Sequence, residues 1–130
     1  MQTVLRTALV LAAALALTPG AGAQNNCDRP NGSFDQVYCQ IKVLVRADAD
    51  MNVAYTLLLK KLAPAAQTQL RQTQRAWLAR RDRDCVEYSA SRGDVVYTDC
   101  AVETTTERLN FLTDRLRECD TTGCQPSRLR

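Results

Sequence analysis

Histidine is absent from the chain, and tryptophan occurs once. The first absence removes the commonest general base, the usual partner of a Ser or Cys nucleophile, and the commonest metal ligand. Glycine is scarce, with 5 in 130 residues, and no Gly-rich phosphate-binding loop is present. A strong charge of either sign is also lacking. The 17 Lys and Arg against 14 Asp and Glu leave a formal net charge of +3. That is a weak excess, far from the field of a nucleic-acid binder. No internal repeat or low-complexity tract interrupts the chain, and no segment alternates convincingly with the period of a strand.

One apolar run exists, at the start. Residues 1–23 carry a single charge, Arg6, then an apolar stretch from Ala8 to Leu17, a Pro19-Gly20 break and the small residues Ala21-Gly22-Ala23. The stretch is shorter than the roughly 20 residues that span a bilayer. The order of features predicts a cleaved secretory signal over 1–23 and a single exported domain over 24–130. No Cys follows the small residues directly, so no lipid attachment and no membrane association are expected after cleavage. Removal of Arg6 lowers the net charge by one.

All six cysteines lie beyond the signal: Cys27, Cys39, Cys85, Cys100, Cys119 and Cys124. An even number in a small exported chain reads as a disulfide framework rather than a metal site or a set of nucleophiles. No metal and no cofactor are expected.

The rest reads as helix. A turn at Pro30-Asn31-Gly32 precedes a segment in which Val37, Ile41, Leu44, Val45, Asp48, Met51, Asn52, Tyr55, Leu58, Leu59 and Leu62 share one face. Pro64 suits the first turn of a second helix. There Leu70, Gln74, Trp77, Leu78, Arg81 and Cys85 share a face, and the helix is expected to end near Ser89. After a Ser89–Asp94 loop, a third helix aligns Tyr97, Ala101, Thr105, Arg108, Leu112 and Leu116. Thr122-Gly123 makes a tight turn, and residues 125–130 read as a frayed tail. The predicted fold class is all-α: a small disulfide-stapled helical hairpin plus a third packed helix.

This projection settles the role of "QRAWLARRDRDC" (74–85). Trp77 falls with Leu70 and Cys85 on the inner side, while Arg75, Arg80 and Arg83 point elsewhere among Asp82 and Asp84. Trp77 is therefore core, not a base-stacking platform, and no nucleic-acid partner is expected. Three charged residues on the inner faces, Asp48, Arg81 and Arg108, need partners, because an unpaired buried charge is very costly. Asp48 is expected to bond Arg81 or Arg108, with Asn52 and Tyr55 nearby, in a buried polar cluster that registers the helices. Antiparallel packing brings Cys85 to Cys100 across the loop. Six cysteines allow 15 pairings; the expected ones also include Cys27 with Cys39, tying the N-terminal loop to the first helix, and Cys119 with Cys124, closing the C-terminal turn. At about 2–4 kcal/mol per bridge, such staples matter to a small core.

The motifs Asp48-x-x-Met51-Asn52-x-x-Tyr55, then Leu70, Gln74, Trp77, Arg81, Asp82 and Cys85, then Cys100, Thr105, Arg108 and Leu112, resemble the LprI family. This is the lysozyme-inhibitor LprI-like domain of bacterial envelope proteins. The likeness runs from about Cys27 to Leu116, with Met51 where Leu is commoner and with Cys119 and Cys124 as an addition. The resemblance implies an exported, helical, disulfide-linked bacterial protein, periplasmic or secreted, that binds and inhibits lysozyme. A Ser-rich loop between Cys85 and Cys100, with Tyr88, Ser89, Ser91 and Asp94, is the candidate partner-binding element. A rigid loop loses less entropy on binding.

Two other functions fit the residues. One is a non-inhibitory envelope module that binds peptidoglycan or another envelope protein. The other is an enzyme using carboxylates such as Asp94, Asp99 and Glu103. The lack of His and of free Cys favours a binding protein with no catalytic residue. The oligomeric state is not legible.

Overall fold

A computed structural model describes residues 26–129, so the expected signal segment lies outside the described residues. A 3-10 turn at Asn26–Asp28 leads into helix α1 (Ser33–Lys61), followed by α2 (Pro64–Cys85), strands β1 (Val86–Ser89) and β2 (Gly93–Val96), α3 (Thr98–Thr121) and a 3-10 turn at Pro126–Arg128. Three disulfide-stapled helices form the body, as expected. The two-stranded antiparallel ribbon is an addition to the all-α reading.

Local chemistry sets the helix ends. Gly32 adopts φ +92°, a left-handed conformation that costs glycine little, and α1 starts at the next residue. Leu62 and Ala63 are extended, and Pro64 opens α2 where its missing N–H costs nothing. The Gln67 amide donates to the Leu62 carbonyl at 3.0 Å and steadies this tight connection.

Helices α1 and α3 run parallel and in step. Thr98 bonds Gln40 near one end, and Lys61 pairs with Asp120 near the other. Their backbones make the most extensive helix–helix contact in the fold. Small buried residues, Ala47 and Ala54 on α1 with Ala101 and Thr105 on α3, permit it. Larger side chains, Met51, Leu58, Leu70, Trp77 and Leu112, fill the shared core with α2. Leu58, Leu70 and Leu112 are fully shielded, each stabilising the fold by about 1.5–3 kcal/mol.

The inner stripe of α1 is Ala47, Met51, Ala54 and Leu58. Val37, Ile41 and Val45, expected inside, are exposed. Val37 precedes Gln40, which lies level with the start of α3, while Ile41 and Val45 are turned away from the neighbouring helices by the roll of α1 that buries Ala47 and Met51. The α2–α3 connection also differs from the expected one. Helix α2 ends at Cys85 and not near Ser89, and α3 starts at Thr98 and not near Asp94. Four residues on each side pair as strands between them. The tail, expected to be frayed, is packed. The Cys119–Cys124 bond turns the chain back, Arg128 pairs with Glu118, and Leu129 sits in the core at 1% exposure.

The three disulfides pair as expected: Cys27–Cys39, Cys85–Cys100 and Cys119–Cys124. Trp77 is core, 3% exposed. Replacing Leu129 with Ala should lower unfolding stability in urea by about 2–4 kcal/mol, the usual cost of emptying a buried leucine site. A loss near zero would return residues 125–130 to a frayed tail.

Candidate functional site

The segment expected to bind a partner is a β-hairpin. Val86 pairs with Val96, Glu87 with Val95, Tyr88 with Asp94 and Ser89 with Gly93. The turn closes with the Arg92 N–H donating to the Ser89 carbonyl at 3.2 Å, and Gly93 supplies the left-handed φ of +76° that follows. At the base, the Tyr97 N–H donates to the Cys85 carbonyl at 2.9 Å. The Cys85–Cys100 bond, with a Cα separation of 5.5 Å, lies just beyond it. An isolated two-stranded hairpin is marginally stable in water. Here both ends are fixed to helices, so the strands start from a closed register.

Cross-strand neighbours share a face, because side chains alternate along each strand. One face therefore carries Val86, Tyr88, Asp94 and Val96. Tyr88 is 75% exposed, and Asp94 and Val96 are also exposed. The other face holds Glu87, whose carboxylate accepts a hydrogen bond from the Tyr97 hydroxyl. That hydrogen bond, reinforced by the carboxylate charge, raises the Tyr97 phenol above its ordinary range. The Ser89 and Ser91 hydroxyls bond each other at 3.2 Å beside the turn. Of the four residues expected here, Tyr88 and Asp94 thus form one exposed pair, while Ser89 and Ser91 brace the tip. Two acids, Glu87 and Asp94, against Arg92 give the hairpin a local negative excess on a positively charged chain. Asp99 and Glu103, the other carboxylates weighed for catalysis, are exposed on α3.

An open groove of about 640 Å³ lies between α1 and α3. Val43, Ala47, Val102 and Leu109 wall it, beside the Cys27–Cys39 bond. Gln40 belongs to this groove and bonds Thr98 at the start of α3.

The expected buried polar cluster is not assembled as a unit. Asp48 is half-buried and accepts from the exposed Asn52 amide at 3.1 Å. No ion pair joins it to Arg81 or Arg108. Arg81 pairs with Asp82 at 2.8 Å and stacks on Trp77, its guanidinium carbon 5.2 Å from the ring centre. The roll of α1 that buries Ala47 and Met51 carries Asp48 to the margin. Arg108 alone goes deep, at 6% exposure. Its Nε donates to Gln74 at 2.9 Å, its terminal nitrogen donates to Thr73 at 3.4 Å, and it covers the Phe111 ring at 4.8 Å. Gln74, read from the sequence as a face residue only, is the acceptor that Arg108 requires.

Burial, and then the neighbouring Arg80 charge, pull the Arg108 guanidinium down to about 10. A base whose pKa falls on folding holds its proton less well folded than unfolded, so its charge opposes folding at neutral pH. That penalty lifts only as pH rises through about 10 toward the unfolded value. Arg108 is thus a cation at physiological pH.

Among the described residues, no group of three or more His, Cys, Asp or Glu could hold a metal ion, and no helix is long and apolar enough to cross a membrane. The family model described as lysozyme inhibitor LprI matches residues 27–112. No curated protein and no solved structure matches the chain. The matched span holds α1, α2, the hairpin and the first half of α3, and ends before Cys119–Cys124.

Substitution separates the two inner-face charges. Arg108→Ala should cost about 2–4 kcal/mol in chemical denaturation, through lost hydrogen bonds and lost packing on Phe111. Asp48→Ala should cost under about 0.5 kcal/mol, the scale of one exposed pair along a helix. Equal losses would restore a coupled Asp48–Arg108 cluster.

Proposed function

The chain belongs to the lysozyme inhibitor LprI family, and we propose that it is an exported protein that inhibits lysozyme by binding and occlusion. The observation that carries this reading is the exposed, disulfide-anchored hairpin Val86–Val96 inside the family-matched span. Tyr88 is its anchor. A rigid aromatic side chain supplies much contact area and loses little entropy on binding. Asp94, opposite Tyr88, and Glu87 supply acids for a basic target. Binding of this kind uses no cofactor and no catalytic residue. Three disulfides suit an oxidising compartment, and with the N-terminal segment they support a periplasmic or secreted location.

One observation favours a second reading, a non-inhibitory envelope-binding module. The net positive charge gives the chain no long-range attraction to animal c-type lysozymes, which are basic. Recognition of lysozyme would then rest wholly on the local acids of the hairpin.

The purified oxidised protein, titrated against c-type and g-type lysozymes acting on bacterial cell walls, distinguishes the two. Inhibition should saturate near an equimolar ratio, and the Tyr88→Ala variant should weaken it by about tenfold or more, as loss of an interface anchor does. No effect on any lysozyme would contradict inhibition and leave the envelope module, whose partner a pull-down from envelope extract would seek.

A further inference from the structure

A second cleft, unconnected with the hairpin, lies between α1 and α2 and encloses about 350 Å³. Asp48, Asn52 and Tyr55 line it from α1, and Arg71, Gln74 and Arg75 from α2. These positions follow the three- and four-residue spacing of two facing helical stripes. Met51 and Gln74 form a buried floor, with the Gln74 amide 3.8 Å from the Met51 sulfur and its oxygen held by Arg108. The floor is fixed, and the walls are polar.

The cations of this cleft are placed without local compensation. From Pro64 to Arg81, α2 carries Arg71, Arg75, Arg80 and Arg81 and no acid. Arg71 and Arg75 stand one turn apart, where like charges on a helix repel. Both are exposed, and neither forms an ion pair among the described residues. The charge of Arg108 lies behind the Gln74 floor. Against these, the cleft offers one carboxylate, Asp48, which is engaged by Asn52. The Tyr55 hydroxyl makes no hydrogen bond among the described residues. Two forked guanidiniums side by side suit the oxygens of a carboxylate or phosphate. Tyr55 and the Asp48–Asn52 pair suit hydroxyl and amide groups.

We propose that this cleft binds a small ligand with one carboxylate or phosphate on a hydroxyl- and amide-bearing body. Arg71 and Arg75 take the anionic group, and Tyr55, Asn52 and Asp48 hydrogen-bond the body. The volume admits one sugar or one amino acid, either free or as one unit of a polymer. None of these residues lies in the hairpin, so the site stands or falls independently of lysozyme inhibition.

Three probes test it by NMR titration of the full oxidised protein at low salt. They are N-acetylmuramic acid, which carries a carboxylate, N-acetylglucosamine, which has the same ring without it, and inorganic phosphate. The sugar acid or phosphate should shift the signals of Tyr55, Asn52, Arg71 and Arg75 saturably, and the neutral sugar should bind at least about tenfold more weakly. Response to the sugar acid assigns a carboxylate ligand, and response to phosphate alone assigns a phosphate ester. The double variant Arg71→Gln, Arg75→Gln changes only exposed side chains and should weaken binding about tenfold or more, while Arg92→Gln on the hairpin should leave it unchanged. No saturable shift with either anion would overturn the proposal. So would equal weakening by Arg92→Gln, which would mark a general attraction to positive charge.

Discussion

The bond between Cys85 and Cys100 fixes the point at which two helices and two strands meet. Cys85 is the last residue of α2 and is 2% exposed, so the bond is anchored in the packed interior. Its carbonyl accepts the Tyr97 N–H, which sets the register of the hairpin from the base. Remove that anchor and eight strand residues have only each other, too few for an independently stable ribbon. The same bond brings the start of α3 beside the end of α2, after which α3 runs parallel to α1 along its length. One covalent link therefore serves both the core and the exposed edge.

Division of labour between helix faces follows from the size of the buried side chains. Small residues let α1 and α3 approach closely, and large ones hold α2 farther off. The wider α1–α2 seam leaves room for the polar cleft of Asp48, Asn52 and Tyr55. These residues gather at a surface recess, whereas Arg108 satisfies its buried charge through Gln74 and Thr73. Family resemblance in these positions thus marks two structures: a recess lined by polar groups, and an interior arginine held by an amide and a hydroxyl.

Much of the body was legible in the sequence because its signals are long-range and redundant. Helical periodicity over more than twenty residues, Pro64 at a helix start and six cysteines near predicted helix ends all agree with the structure. Trp77 fell on the inner face of a regular helix, and its burial followed. The hairpin was hidden because each strand has four residues, too short for alternation to show, and its Ser-Gly turn reads equally as a loop. Val95-Val96 after Gly93 was the available signal, since β-branched residues beyond a turn glycine favour a strand. The displaced polar cluster had a different cause. Helical projection gives the angle of Asp48 on α1 but not the roll of α1 against its neighbours, and a modest roll moves a margin residue out of the core. Leu129 was unreadable for a related reason: a single leucine in a polar tail has no period, and only the Cys119–Cys124 reversal carries it inward.

The exposed hairpin as contact surface is the central claim, and amide hydrogen exchange reads it residue by residue. The oxidised protein would be compared alone and with an excess of c-type lysozyme. The account predicts slower exchange confined to residues 86–96 and the adjoining start of α3, with the α1–α2 cleft unchanged. Protection elsewhere with an unaltered hairpin, or no protection anywhere, would contradict it.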